Sequence, residues 1–310
     1  MFYHNKWDMT TFISTKYYAD KALRYELDRV FKIVHVDVKT FPNYEILARI
    51  EHIDRVDGKI FVFQNLFPNP NQNLILLFQI LDILRHYKRL NEIYVIIPYL
   101  SYSRQDKRFL QGEALSLKVV LDHISSYEVN GIILFDVHNI KAVLDISKSP
   151  IYHFSLLEDI VREAIKLEKI KFDNSILVAP DIGREIVVRK IAKKLNIESI
   201  TIKKYRDRVT GEVKFDFTSK EDRLDGYNTA IIIDDEISTG GTMAGVAKFL
   251  KDMGIKNIYS IATHLLLVNN AEQLLLNSGV KKIMGSDTIE NKNSILSIFK
   301  IIPDIIKTII

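Results

Sequence analysis

From Ala230 to Met243 the chain reads Ala-Ile-Ile-Ile-Asp-Asp-Glu-Ile-Ser-Thr-Gly-Gly-Thr-Met. An apolar run ends in three acids, Asp234, Asp235 and Glu236, and a turn of small residues follows: Ser238, Thr239, Gly240, Gly241 and Thr242. Small residues let backbone N–H groups face outward, and the N-terminus of the helix expected next adds partial positive charge. Together they make a phosphate cradle. The acids cannot face the same phosphate without repulsion, so they suit sugar hydroxyls or a divalent cation bound beside them. A phosphate loop next to two acids reads as a ribose 5-phosphate site. Its bland counterpart is a strand-to-helix turn with an acidic cap.

Three further groups carry possible chemistry. After the apolar run Ile93–Ile97 come Tyr102, Arg104, Gln105, Asp106, Lys107 and Arg108, and cations clustered at a strand end can hold a polyphosphate. His138 follows another apolar run, and Asp181 opens a strand-to-helix turn; on local grounds these are a structural histidine and a helix cap. Lys204 and Arg206 lie in a charged stretch that reads as a mobile, solvated loop just after Glu198–Ile202.

The elements that must position these residues alternate between short β-branched runs and longer periodic segments. Strands are expected at Phe31–Val36, Ile60–Gln64, Ile93–Ile97, Ile132–Phe135, Ser175–Val178, Glu198–Ile202, Thr229–Ile233 and Asn257–Thr263. Helices are expected at Lys16–Leu27, Leu74–Tyr87, Leu115–Ser125, Leu156–Leu167, Glu185–Leu195, Met243–Met253 and Asn269–Asn277. This alternation predicts an α/β protein with mainly parallel sheets flanked by helices. The polar turn at Lys148-Ser149-Pro150 is the expected boundary between an N-terminal domain, 1–149, and a C-terminal domain, 150–310.

Composition narrows the chemistry. The chain has 310 residues and no cysteine, which removes disulfides, thiolate nucleophiles, cysteine–zinc sites and iron–sulfur clusters. A net charge of +4, with both signs interspersed, argues against nucleic acid as the main partner. The most apolar windows, Leu74–Leu84 and Ile301–Ile310, fall short of the roughly 20 residues that a membrane span needs. The N-terminus shows no signal-peptide pattern, so a cytoplasmic protein without membrane contact is expected.

The 230–243 segment resembles the phosphoribosyl diphosphate (PRPP) binding motif, shared by type I phosphoribosyltransferases and ribose-phosphate diphosphokinases. The stretch from Pro98-Tyr99 through Arg104-Gln105-Asp106-Lys107 resembles the diphosphokinases' Pro-Tyr-x-x-Tyr-Ala-Arg-Gln-Asp-Arg, which the transferases lack. Further matches run along nearly the whole chain: Phe41-Pro42-Asn43-Tyr44-Glu45, Gly112-Glu113-Ala114-Leu115-Ser116, Asp136-Val137-His138, Ala179-Pro180-Asp181-Ile182-Gly183, Lys204-Tyr205-Arg206 and Thr263-His264. The chain is therefore similar to the ribose-phosphate diphosphokinase (PRPP synthetase) family, and to its archaeal branch in particular.

The resemblance implies two phosphoribosyltransferase-like domains and transfer of the pyrophosphoryl group of MgATP to the 1-hydroxyl of ribose 5-phosphate, giving PRPP and AMP. ATP would be held by Phe41, Asn43, Glu45, Arg104, Gln105, Asp106 and His138, the first three from a neighbouring subunit of a homo-oligomer. Lys204 and Arg206 would be catalytic, His138 and Asp181 would hold magnesium, and Asp234, Asp235, Ser238, Thr239, Gly240, Gly241 and Thr242 would hold ribose 5-phosphate. Two other readings compete: a type I phosphoribosyltransferase that consumes PRPP, and a non-catalytic, synthetase-like regulatory subunit. The sequence departs from the family pattern in three places. Asn43 replaces an aspartate, Tyr44 a glycine, and Arg184 the second glycine after Asp181.

Overall fold

The computed structural model describes residues 10–206, 213–218 and 224–309. Its strands form two seven-stranded sheets. The first contains β1 (Thr10–Thr15), β2 (Lys32–Thr40), β3 (Ile46–Arg49), β4 (Lys59–Phe63), β5 (Ile93–Ile97), β6 (Gly131–Phe135) and β7 (Ile151–Phe154). The second contains β8 (Ser175–Ala179), β9 (Glu198–Arg206), β10 (Val213–Phe217), β11 (Thr229–Ile237), β12 (Asn257–Leu265), β13 (Val280–Ser286) and β14 (Ser294–Leu296). Helices follow strands in both: α1 (Lys16–Arg24), α2 (Pro70–Tyr87), α3 (Ser116–Ser125), α4 (Ile140–Ile146), α5 (Leu157–Glu168), α6 (Glu185–Leu195), α7 (Gly241–Asp252), α8 (Ala271–Asn277) and α9 (Ile302–Ile309).

The strand order is β3-β2-β1-β4-β5-β6-β7 in one sheet and β10-β9-β8-β11-β12-β13-β14 in the other. Position by position these are the same path. In each sheet the pairings are parallel except for one antiparallel hairpin at an edge, β2–β3 and β9–β10. This repeat is the pair of phosphoribosyltransferase-like domains that the family resemblance implies. It makes the antiparallel pairs β2–β3 and β9–β10 topological twins. Central strands are buried on both faces, so they read as continuous apolar runs: every residue of β5, β6 and β8 is buried.

The division of the chain differs from the expected cut at Ser149/Pro150. One compact unit comprises 1–154 and 297–310, and the other 155–296. Pro150 precedes β7, which pairs in parallel with β6 and so completes the first sheet. The C-terminal segment also belongs to the first unit. Phe299 is buried, packs 5.0 Å from Phe63 and stacks on Tyr18 and Tyr25, while Ile302, Ile305 and Ile306 of α9 are buried. That accounts for the apolar Ile301–Ile310 stretch, and no helix among the described residues is long and apolar enough to cross a membrane.

Candidate active site

The phosphate-type loop joins β11 to α7. Its strand is longer than the expected Thr229–Ile233, because β12 continues to pair with it as far as Ile237↔Leu265. The three acids therefore sit within the strand's last turns of pleat: Asp235 and Glu236 are buried and Asp234 is half-buried. At this end of the strand and along the loop, three carbonyls are taken by protein donors. Leu267 N–H bonds the Ile237 carbonyl (3.0 Å), Val268 N–H that of Ser238 (3.1 Å) and Ala244 N–H that of Gly240 (2.8 Å). No backbone N–H from Ser238 to Thr242 is spent on a carbonyl of another described residue. Donors without internal partners at the start of a twelve-residue helix are the ingredients of an anion site. Gly240 is required there: its φ is +76°, and a Cβ would lie 3.3 Å from the Ala271 methyl.

β8 neighbours β11, so the turn after Ala179 opens beside the acids. Asp181 closes this turn and is not the cap of α6, whose N-cap position is Arg184: Asp181 Oδ1 accepts the Arg184 N–H at 3.1 Å. Arg184 does more than alter the turn. Its Nε lies 3.4 Å from Asp234 Oδ1 and its Nη2 3.2 Å from Asp235 Oδ2, and side-chain exposure is only 14% for Arg184 and 3% for Asp235. Burial pushes the Asp234 carboxyl well above the usual carboxylate range, the neighbouring Asp235 pushes it the same way, and the Arg184 charge pulls it back.

Lys204 and Arg206 lie in strand β9 and not in the loop expected after Ile202. The reason is β10, whose Val-Lys-Phe-Asp-Phe alternation gives β9 an antiparallel partner with Lys204↔Phe215 and Arg206↔Val213. Their side chains, and the loop 207–212 with Arg208, lie outside the described residues. Phe215 seats this hairpin on α7: a Cβ on Gly245 would come within 2.3 Å of its ring. The helix that begins at the anion loop therefore also supports the strand pair carrying the two cations.

In the first unit the expected ATP residues gather on loops after β2, β5 and β6, at the carboxyl ends of parallel strands, where open α/β sheets bind ligands. Phe41–Glu45 is the tip of the β2–β3 hairpin. It is closed by Phe41 N–H to the Glu45 carbonyl (2.8 Å) and Tyr44 N–H to the Phe41 carbonyl (2.9 Å). Tyr44 has φ +67°, the conformation a glycine takes without strain, and is 88% exposed. Asn43 Oδ1 accepts the Glu45 N–H (3.3 Å). Lys39 Nζ stands 4.9 Å over the Phe41 ring.

The basic loop after β5 is shaped by its own residues. Arg108 Nε donates to the Glu113 carbonyl (2.9 Å), and the Glu113 carboxylate accepts the N–H groups of Phe109 (2.8 Å) and Leu110 (3.0 Å). Arg108 thus holds the loop, while Arg104 and Gln105 are exposed. Asp106 is tied to the β6 loop, accepting from Asn139 Nδ2 at 2.6 Å, and Asn139 Oδ1 caps α4 by accepting the Ala142 N–H at 3.2 Å. The Arg104–Asp106 segment and His138 are brought together by Asn139, a residue the motif matches passed over. Its signal was local: an Asn directly before a helix. His138 is exposed. His153 Nε2 accepts the Val137 N–H at 3.1 Å, so that ring nitrogen carries no proton, and desolvation shifts the His153 pKa downward.

His138 lies in the first unit, Asp181 in the second. The exposed Asp181 carboxylate suits a hard, oxygen-seeking ion such as magnesium. Asp234 and Asp235 are different, because their charge already faces Arg184. Beyond the expected residues, His264 and Thr263 form a buried network with Ser286 and Thr288, in which His264 Nδ1 and Thr288 Oγ1 are 2.9 Å apart. In β11, Glu236 pairs with His264 of β12.

Comparison with known proteins agrees over most of the chain. Residues 16–127 match the family described as the N-terminal domain of ribose phosphate pyrophosphokinase, and residues 223–310 match the phosphoribosyl synthetase-associated domain. The ribose-phosphate pyrophosphokinase of Sulfurisphaera tokodaii is 36% identical over 278 residues, covering 89% of this chain and 92% of that one. The Methanopyrus kandleri protein of the same name is 30% identical and covers 87% and 89%. Among solved structures, phosphoribosylpyrophosphate synthetase from Mycobacterium smegmatis superposes with a TM-score of 0.79 at 25% identity, covering 97% of this chain and 98% of that chain.

Proposed function

Since this chain belongs to the ribose-phosphate pyrophosphokinase family, which makes PRPP and AMP from ATP and ribose 5-phosphate, we propose how its residues divide that reaction. The N–H groups of Ser238, Thr239, Gly240, Gly241 and Thr242 bind the 5-phosphate, and Asp234 and Asp235 bind the ribose hydroxyls. The 1-hydroxyl oxygen attacks the β-phosphorus of ATP. A new O–P bond forms, the bond from the β-phosphorus to the oxygen bridging the α-phosphate breaks, AMP departs with that oxygen, and the hydroxyl proton passes to solvent. Lys204 and Arg206 balance the charge on the transferring group, and most of the rate comes from positioning and electrostatics.

ATP falls to the first unit. Arg104, Gln105, Asp106 and His138 contact its phosphates and ribose, while Phe41, Asn43 and Glu45 receive the adenine of a second copy's nucleotide. Phe41 supplies stacking area, and the Asn43 amide reads the base edge. The exposed hairpin tip supports this role in a homo-oligomer. Asp181 and His138 are each proposed as a magnesium ligand, and the bound ion would neutralise triphosphate charge. We place the reaction in the cytoplasm, a compartment that a cysteine-free chain suits.

The observation that carries this reading is the juxtaposition, on β11 and the start of α7, of unspent backbone donors with buried carboxylates. The test is product analysis after incubation with ATP, ribose 5-phosphate and magnesium. AMP and PRPP in equal amounts are expected, with none after chelation. ADP in place of AMP, or turnover only with PRPP and a base, would reject it.

A further inference from the structure

Arg184 stands where the PRPP synthetase motif carries a glycine, and its guanidinium bridges two carboxylates, Nε to Asp234 and Nη2 to Asp235. Its backbone is pinned: its N–H donates to both the side chain and the carbonyl of Asp181. The three side chains are largely screened from water, at 14%, 16% and 3% exposure, so their charges interact more strongly than a surface pair does. We propose that Arg184 is a tethered cation occupying the Asp234–Asp235 pair in the ligand-free protein, and that pentose hydroxyls or a divalent cation reach these carboxylates only in exchange for its guanidinium.

The inference rests on assigning the ribose ring to Asp234 and Asp235. Two buried carboxylates left alone would repel each other and draw in a divalent ion. One guanidinium removes half of that charge and points two N–H edges at the oxygens such an ion would need. A dication added beside Arg184 meets a like charge at close range. A glycine at this turn leaves the pair open. In this protein, then, Arg184 sets how much divalent cation the ribose site demands.

Manganese binding without ATP reads this directly. The free Mn2+ signal in electron paramagnetic resonance is followed during titration of the parent protein, Arg184→Ala and Arg184→Lys, each with and without ribose 5-phosphate. Arg184→Ala should bind one Mn2+ per chain on the order of tenfold more tightly than the parent. Arg184→Lys keeps a cation but loses the two-pronged fork, so its Mn2+ affinity should fall between those of the parent and Arg184→Ala. Adding Asp235→Asn to Arg184→Ala should erase the gain. Mn2+ affinity unchanged or weakened in a folded Arg184→Ala protein would overturn the proposal. Arg184→Gly, the motif's own residue, replaces that variant if near-ultraviolet circular dichroism shows it unfolded. The readout needs no turnover, so PRPP synthesis without a Mn2+ gain rejects the tethered cation alone. A Mn2+ gain in a protein that makes no PRPP rejects the catalytic reading alone.

Discussion

Gly240 offers a sharp perturbation because its neighbour Gly241 provides a matched control. At Gly240 the backbone is left-handed, with φ +76°, and a methyl would meet the Ala271 Cβ at 3.3 Å and the Ala271 carbonyl oxygen and Leu275 Cγ at 3.4 Å. The conformation costs an L-residue about 1–2 kcal/mol. Alanine is also a poorer N-cap than glycine, which brings the total to roughly 2 kcal/mol. In a unit of this size each kcal/mol moves the melting temperature by about 2–4 °C, so Gly240→Ala should melt about 4–8 °C below the parent. To relieve the strain the loop must rotate its donors off the 5-phosphate, and misplacement of that order raises the KM for ribose 5-phosphate by about ten- to hundredfold. Gly241 lacks the left-handed φ, and nothing lies within 4 Å of its added Cβ, so Gly241→Ala should melt within about 1 °C of the parent. Calorimetry and initial rates at varied ribose 5-phosphate measure both quantities. Equal melting of the two variants, or an unchanged KM in Gly240→Ala, would refute the assignment of a strained, donor-presenting loop.

Lys204→Ala and Arg206→Ala should each lower kcat by about 10²–10³ with little change in the KM for ribose 5-phosphate, as followed by AMP formation; a change confined to KM would make them binding residues. Asp234 is held protonated to higher pH in the folded chain than in the unfolded one, chiefly by burial. Its contribution to stability is therefore present at low pH and lost as pH rises through the raised folded value. Asp234→Asn should thus abolish synthesis yet raise the melting temperature at pH 7.5, with the gain vanishing near pH 4; a loss of stability at pH 7.5 would contradict this. Asn139→Ala removes a helix cap and the tie to Asp106, so it should cost about 1 kcal/mol in denaturant titrations and raise the KM for ATP several-fold; an unchanged KM would mean that the Asp106 loop holds its shape unaided.

What could be read from the linear chain was contiguous. The β11 loop, the Asp181 turn, the hairpin at Phe41 and the run of Arg104–Asp106 are each written in neighbouring residues, since turn chemistry and helix starts depend on positions three or four apart. The first strand shows the limit. Thr10–Thr15 reads Thr-Thr-Phe-Ile-Ser-Thr, and its hydroxyls masked a buried strand. Thr11 can be buried there because its hydroxyl donates to the Asp57 carbonyl at 2.9 Å, a partner far along the chain. The full reach of β9 was hidden for a similar reason. Its charged end counts as strand only once β10 has paired with it.

Composition and local spacing by themselves determined the class of chemistry: a phosphate-binding turn flanked by acids, cations in clusters, and parallel sheets to carry them. Only the tertiary structure decided which charges meet. Arg184 and Asp234 belong to separate stretches of chain, and they meet because β8 and β11 lie side by side. Packing of Phe299 on Phe63, Tyr18 and Tyr25 likewise returned the C-terminal helix to the first unit, and strand order laid out two copies of one path. Charges act through space, with a strength set by distance and burial. Both quantities come into existence when the sheet closes, so no pattern of nearby residues can state them in advance.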